Sequence, residues 1–190
     1  MAGALREGFV DSRFDVVITN DPMDDLDGLM RHTVLTEPYV LVVPESLAPA
    51  DGGIDLAALA QTSKLIRWSS KSQIGTEIEQ HLRRLRIELP RRFEFDSADT
   101  LVGIVEAGLG WAIMTPLCLA NRSLKLQGVR VMPFPGPRFC RKLSLISRAG
   151  ELDKIAPRLA RTSQGILRKK YLPEMAQLGP WLDGQVSVGD

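Results

Sequence analysis

Two clusters of hydroxyls and amides stand where they could hold a small polar ligand. Ser69, Ser70, Lys71, Ser72 and Gln73 follow an apolar run at 64–68 and open an amphipathic helical pattern, so hydroxyls and free backbone N–H groups converge at one helix N-terminus. Such an end attracts anions through its unsatisfied donors and its dipole, by up to ~2 kcal/mol when partly buried. A second end of this kind follows Phe95, where Asp96, Ser97 and Asp99 precede a helical pattern containing Leu101. Helix capping accounts for Ser72 and Ser97 equally well, and both readings stand at this point.

Catalytic chemistry finds no set of residues to carry it. The sequence lacks GxSxG, the GxxxxGK[ST] phosphate loop and a GxGxxG following a strand; Gly108 and Gly110 precede an apolar run instead of following one. Asp24, Asp25 and Asp27 lack the remaining ligands of a calcium loop and read as a solvated turn. Cys118, Cys140, His32 and His81 fall in no metal-ligand spacing, and the cysteines read as structural thiols of a reducing cytosol. No catalytic residue, metal or cofactor is expected.

At 190 residues, 44% hydrophobic and 25% charged, the chain can bury a core as one domain or as one domain of two lobes. Its net charge of +1 gives no basic footprint for nucleic acid. No apolar run approaches the ~18 residues needed to span a bilayer. The opening MAGALREG has no signal-peptide core, so a cytoplasmic location is expected.

Apolar runs at 14–19, 39–44, 64–68, 93–95, 111–114, 129–132 and 143–147 predict strands. They alternate with helical patterns, which predicts an α/β fold with mainly parallel sheets. The clearest helix is expected at 73–86, with Ile74, Ile78, Leu82 and Leu85 on one face and Glu77, Glu79, Arg83 and Arg84 on the other. Leu101, Val102, Val105 and Leu109 read as a helix stopped at Gly108; Gly110 lets the backbone pass close to a neighbour, and Pro116 ends the next strand. Gly8 is expected to cap an earlier helix in the same way. Proline and glycine density marks connectors at 48–53 and 133–138. Residues 151–171 read as a terminal helix whose basic end, Arg168, Lys169 and Lys170, complements its dipole, and 173–190 as a loosely held tail.

Leu5, Gly8, Asp15, Val16, Val17 and Ile18, then the valine-rich run at 39–44, then Val102, Ala107, Gly108, Leu109, Gly110 and Pro116 occur in a telling order. In these motifs the chain, from about Leu5 to Tyr171, resembles the effector-binding domain of LysR-type transcriptional regulators. The resemblance implies a two-lobed fold like the type 2 periplasmic binding proteins, with residues 1–45 and 139–172 in the first lobe and 46–138 in the second. It implies an effector cleft with Thr19 and Asn20 on one wall and Ser69, Ser70, Ser72, Gln73, Asp96 and Ser97 on the other. The implied partners are a small-molecule effector, with an organic acid the first expectation, other copies of the chain in a homo-oligomer, and DNA only through a helix-turn-helix domain that this sequence lacks. No membrane partner is expected. The family's first strand, helix and strand are also absent, which leaves the first lobe incomplete and favours association through the exposed sheet edge. A transporter's solute-binding protein of the same architecture is the alternative, and an enzyme adapted from the fold ranks third.

Overall fold

The computed structural model describes residues 2–49, 53–90, 93–122 and 126–189; part of the expected connector at 48–53 lies outside them. Helix α1 (Ala2–Val10) leads into β1 (Val16–Thr19), β2 (Leu29–Pro38) and β3 (Val40–Pro44). Then come α2 (Leu56–Thr62), β4 (Leu65–Trp68), α3 (Gln73–Arg84), β5 (Glu94–Phe95) and α4 (Ala98–Glu106). They are followed by β6 (Trp111–Met114), α5 (Pro116–Ala120), β7 (Val129–Pro133) and β8 (Cys140–Arg148). Last are α6 (Ala156–Ile166), a π-helical turn (Leu167–Tyr171), α7 (Leu172–Ala176) and β9 (Ser187–Val188).

These strands form two sheets, ordered β1-β8-β2-β9 and β5-β4-β6-β3-β7. The expectation of mainly parallel sheets does not hold. The first sheet is antiparallel throughout, and the second joins a parallel half, β5-β4-β6, to an antiparallel half, β6-β3-β7. The chain's route between the sheets is the cause. It leaves the first sheet along β2, passes through Tyr39 into β3, and returns along β8, so outbound and returning strands lie side by side with opposite sense. Only strands linked by the crossover helices α3 and α4 run parallel.

The long strand β2 has no counterpart among the sequence-predicted strands. Arg31, His32, Thr33, Thr36 and Glu37 break its apolar alternation, and pairing with β8 from Leu29↔Arg148 to Pro38↔Cys140 makes the strand. Gly108, at φ 74°, ends α4 in the left-handed conformation as expected. A Cβ on Gly110 would lie 2.3 Å from the Lys64 carbonyl, which accepts the Trp111 N–H at 2.9 Å, so this glycine admits β4 beside β6. Gly8 is corrected: it lies inside α1, and its missing Cβ makes room for the Phe14 ring, which such an atom would meet at 2.3 Å. Pro116 stops β6 and also opens α5, where a missing N–H costs nothing.

Three apolar clusters hold the sheets. Tyr39 to Val43, Leu65, Ile66, Leu101, Val105 and Trp111 to Met114 centre the second sheet. Val34, Leu35, Leu145, Ala156 and Ala160 fasten α6 to the first, and Phe9, Val17, Met23 and Ile146 fasten α1 to its other part. β1 pairs only with β8 among the described residues, and Ile18 on it is 47% exposed.

The segment from Pro173, expected to be a loose tail, is packed. The helical path continues through the π turn into α7, so Arg168, Lys169 and Lys170 do not lie at a helix C-terminus. Arg168 Nη2 instead donates to the Val188 carbonyl, beside the pairing of β9 with Leu35 and Thr36 of β2. Leu182 is buried in the core of the second sheet, with Leu178 and Trp181 against it, and Val188 packs on the core of the first. Apolar side chains spaced along an otherwise polar stretch thus strap the two sheets together. Leu182→Ala is expected to cost about 2–5 kcal/mol, as truncation of a core leucine does, whereas Leu109→Ala at an exposed position stays within about 0.5 kcal/mol. Urea unfolding of both variants checks this, and equal midpoints would contradict the strap.

Candidate functional site

The passage between the sheets is two strands wide. Tyr39 N–H donates to the Phe139 carbonyl at 2.9 Å, just beyond the Pro38↔Cys140 register pair. Their rings stack with centroids 3.9 Å apart, and His81 of α3 stacks on Phe139 at the same distance, so Phe139 lies between two rings. Phe134 meets His81 edge-on at 5.2 Å. Helix α3 is therefore fixed to the crossing by aromatic contact. Burial, and then the charge of Arg84, hold the His81 imidazole below its ordinary value, and its Nε2 is buried with no hydrogen-bond partner among the described residues.

One helical turn before His81, Glu77 points at the same place. Its carboxylate accepts from Tyr39 Oη at 2.5 Å and from Asn20 Nδ2, at the end of β1, at 2.9 Å. The Gln73 amide, another turn back, also favours its charged form. Burial raises the Glu77 carboxyl above its ordinary value despite these donors. Tyr39 is raised too, first by burial and then by the Glu77 charge, so its hydroxyl stays protonated and donating.

Beneath the crossing, Glu37 of β2 is fully buried and paired with Arg141 of β8, at 2.7 Å from Nε and 2.6 Å from Nη2. Its other oxygen accepts the Leu117 N–H at 2.7 Å, serving the first turn of α5, where Thr115 gives no side-chain cap. Burial lowers Arg141, but the Glu37 charge, the Cys118 and Tyr39 groups and the Glu37 hydrogen bond together outweigh it and keep the guanidinium protonated. Arg141 Nη2 also lies 3.7 Å from Cys118 Sγ.

The residues expected to line a cleft are engaged in different ways. Asn20 is in the latch around Glu77, and Gln73 supports it. Thr19 is buried beside them with its Oγ1 accepting the Asp21 N–H at 3.0 Å. Ser72 caps α3: its Oγ accepts the Gly75 N–H at 3.0 Å and donates to the Ser69 carbonyl at 2.7 Å. Ser69 Oγ accepts the Lys71 N–H at 3.3 Å, and the exposed Ser70 donates its N–H to Glu94 at 2.9 Å. Asp96 and Ser97 are exposed, and Ser97 Oγ caps Thr100 at 3.4 Å. The acidic turn is also internally engaged, since Arg6 bonds both Asp21 and Asp25.

Sequence reasoning missed Glu77, Tyr39, Glu37, Arg141 and His81. Glu77 falls on the polar face of an amphipathic helix, where a carboxylate reads as solvated. Glu37 and Arg141 lie outside the strands that the sequence predicts, so their burial had no local signal. No group of three or more His, Cys, Asp or Glu able to hold a metal occurs among the described residues. No described helix is long and apolar enough to cross a membrane.

Comparison with known proteins agrees with this geometry. The family model of the LysR substrate binding domain matches residues 2–164. A Corynebacterium glutamicum OxyR C206 mutant superposes with a TM-score of 0.76 at 17% identity, over 92% of this chain and 55% of that one. The Synechocystis PCC6803 CcmR regulatory domain in complex with 2-PG gives 0.73 at 15% identity, over 87% of this chain and 79% of the other. The effector binding domain of QuiR in complex with shikimate gives 0.66 at 20% identity, over 88% and 77%. The chain thus spans little more than half the length of the first of these relatives. A search of curated protein sequences finds no match.

The raised carboxyl has a consequence for stability. A carboxyl held above its unfolded value near 4.5 stabilises the fold fully below that pH, and the contribution is lost as pH rises through the raised value. Relative to Glu77→Gln, the wild type is expected to lose melting temperature as pH climbs from 4.5 towards neutrality. His81 titrates in both proteins and cancels. Melting curves across that range check the slope, and a constant difference would contradict it.

Proposed function

Because the chain belongs to the LysR substrate binding domain family, we propose that it is the effector-sensing part of a transcriptional regulator. A small molecule enters between the two sheets beside Asn20, Tyr39 and Glu77 and shifts their relative orientation. Contacts with other copies of the chain relay that shift to a DNA-binding domain elsewhere in the full-length cytoplasmic protein. Thr19, Ser69, Ser70, Ser72, Gln73, Asp96 and Ser97 complete the walls in this reading. The relatives bound to 2-PG and to shikimate support a small-molecule effector, and the family match favours this reading over a transporter's solute-binding protein.

The observation that carries the reading is the Asn20–Glu77–Tyr39 latch. Three side chains from separate elements meet where the chain passes between the sheets, so these bonds bear on how the sheets sit. The role is binding: the latch holds a carboxylate with neutral donors and no nucleophile paired with a base. An effector acts only through unequal affinity for two arrangements, and a difference of about 1–2 kcal/mol changes their ratio roughly 5- to 30-fold. Removing the latch should act on the same ratio. In a full-length regulator carrying this chain, Glu77→Ala is expected to change effector-free reporter expression several-fold, while Lys71→Ala at an exposed position leaves it at the wild-type level. Indistinguishable expression from the two variants would overturn the proposal.

A further inference from the structure

Building on the cleft reading, we infer that the effector carries an organic cation, an ammonium or guanidinium group, which pairs with Glu77. The carboxylates nearest the crossing have different partners. Glu37 is matched by Arg141, and Glu79, on another face of α3, by Arg67. Glu77 forms no ion pair among the described residues; Tyr39, Asn20 and Gln73 all reach it as neutral donors. Arg141, whose charge reaches Glu77, has its Nε and Nη2 on Glu37.

A carboxylate offers about four acceptor positions, so three donors leave room for another, and a half-buried negative charge gains most from a donor that is itself charged. An ammonium or guanidinium supplies both properties at once. A ligand bearing only a carboxylate would face Glu77 from within hydrogen-bonding range, with Asp96 adding the same sign on the wall that carries Glu77 in that reading. Of the hydroxyls on that wall, Ser72 Oγ is committed both ways, donating to the Ser69 carbonyl and accepting the Gly75 N–H within its own turn. A bare divalent ion is a poor occupant, since hard cations need several oxygen ligands and Glu77 is the one carboxylate in the latch.

The test is calorimetric titration of the whole chain with putrescine, agmatine and lysine on one side, and with benzoate and shikimate on the other. At least one of the cations is expected to bind the wild type, and Glu77→Gln, which keeps an acceptor for Tyr39, is expected to weaken that binding by about tenfold or more. Circular dichroism establishes that the variant is folded. Asn20→Ala serves as the second variant: it removes a neutral donor, leaves the charge, and retains the preference for cations over acids. Benzoate or shikimate binding equally well to the wild type and Glu77→Gln, or cation binding that survives Glu77→Gln, overturns the inference. If those ligands still respond to Asn20→Ala, the cleft reading survives. No binding from either class, or binding indifferent to both substitutions, overturns the two together.

Discussion

The buried pair of Glu37 and Arg141 is the interaction on which the arrangement rests, because it joins the strand that leaves the first sheet to the strand that returns to it. An ion pair taken out of water is held by short, charge-assisted bonds, and removing one partner from such a pair costs ~3–5 kcal/mol because the other is left as an isolated buried charge. Here the pair has a second duty. Glu37 uses its remaining oxygen on the N-terminal turn of α5, so the strand leaving the first sheet, the strand returning to it and a helix of the second are tied at one carboxylate. Tyr39 lies two residues after Glu37 and Phe139 two before Arg141. Their stacked rings inherit a fixed footing.

Above that anchor the contacts change character. Glu77 is only half-buried, its partners are neutral, and it is reached from β1, from the crossing and from its own helix. Such bonds have modest net worth, about 0.5–1.5 kcal/mol for an ordinary hydrogen bond and somewhat more for a charged one. A firm pivot below and a weaker, exchangeable latch above let a ligand alter the angle between sheets without threatening either core.

The C-terminal segment sets a further limit on that movement. β9 extends the first sheet while Leu182 and Trp181 insert beside the second, so any rotation about the crossing must carry or stretch this strap. Residues beyond 164 lie outside the family match.

Local chemistry was legible where a residue's neighbours in sequence are also its neighbours in space. Gly108 at the end of α4, Ser72 and Ser97 as caps, the apolar face of α3 and the run Trp111–Met114 all follow from helix geometry, backbone sterics and hydrophobic period, and they sufficed for the resemblance to LysR-type effector domains. Asn20, placed on a cleft wall by that resemblance, donates to Glu77 of α3. Tertiary structure alone decided strand sense, the burial of β2 and the use of the polar face of α3. Asn20 and Glu77 are 57 residues apart and Glu37 and Arg141 are 104, so no local period links them. A carboxylate's role depends on whether water or a distant side chain satisfies it, and only the folded chain settles which of the two arrives.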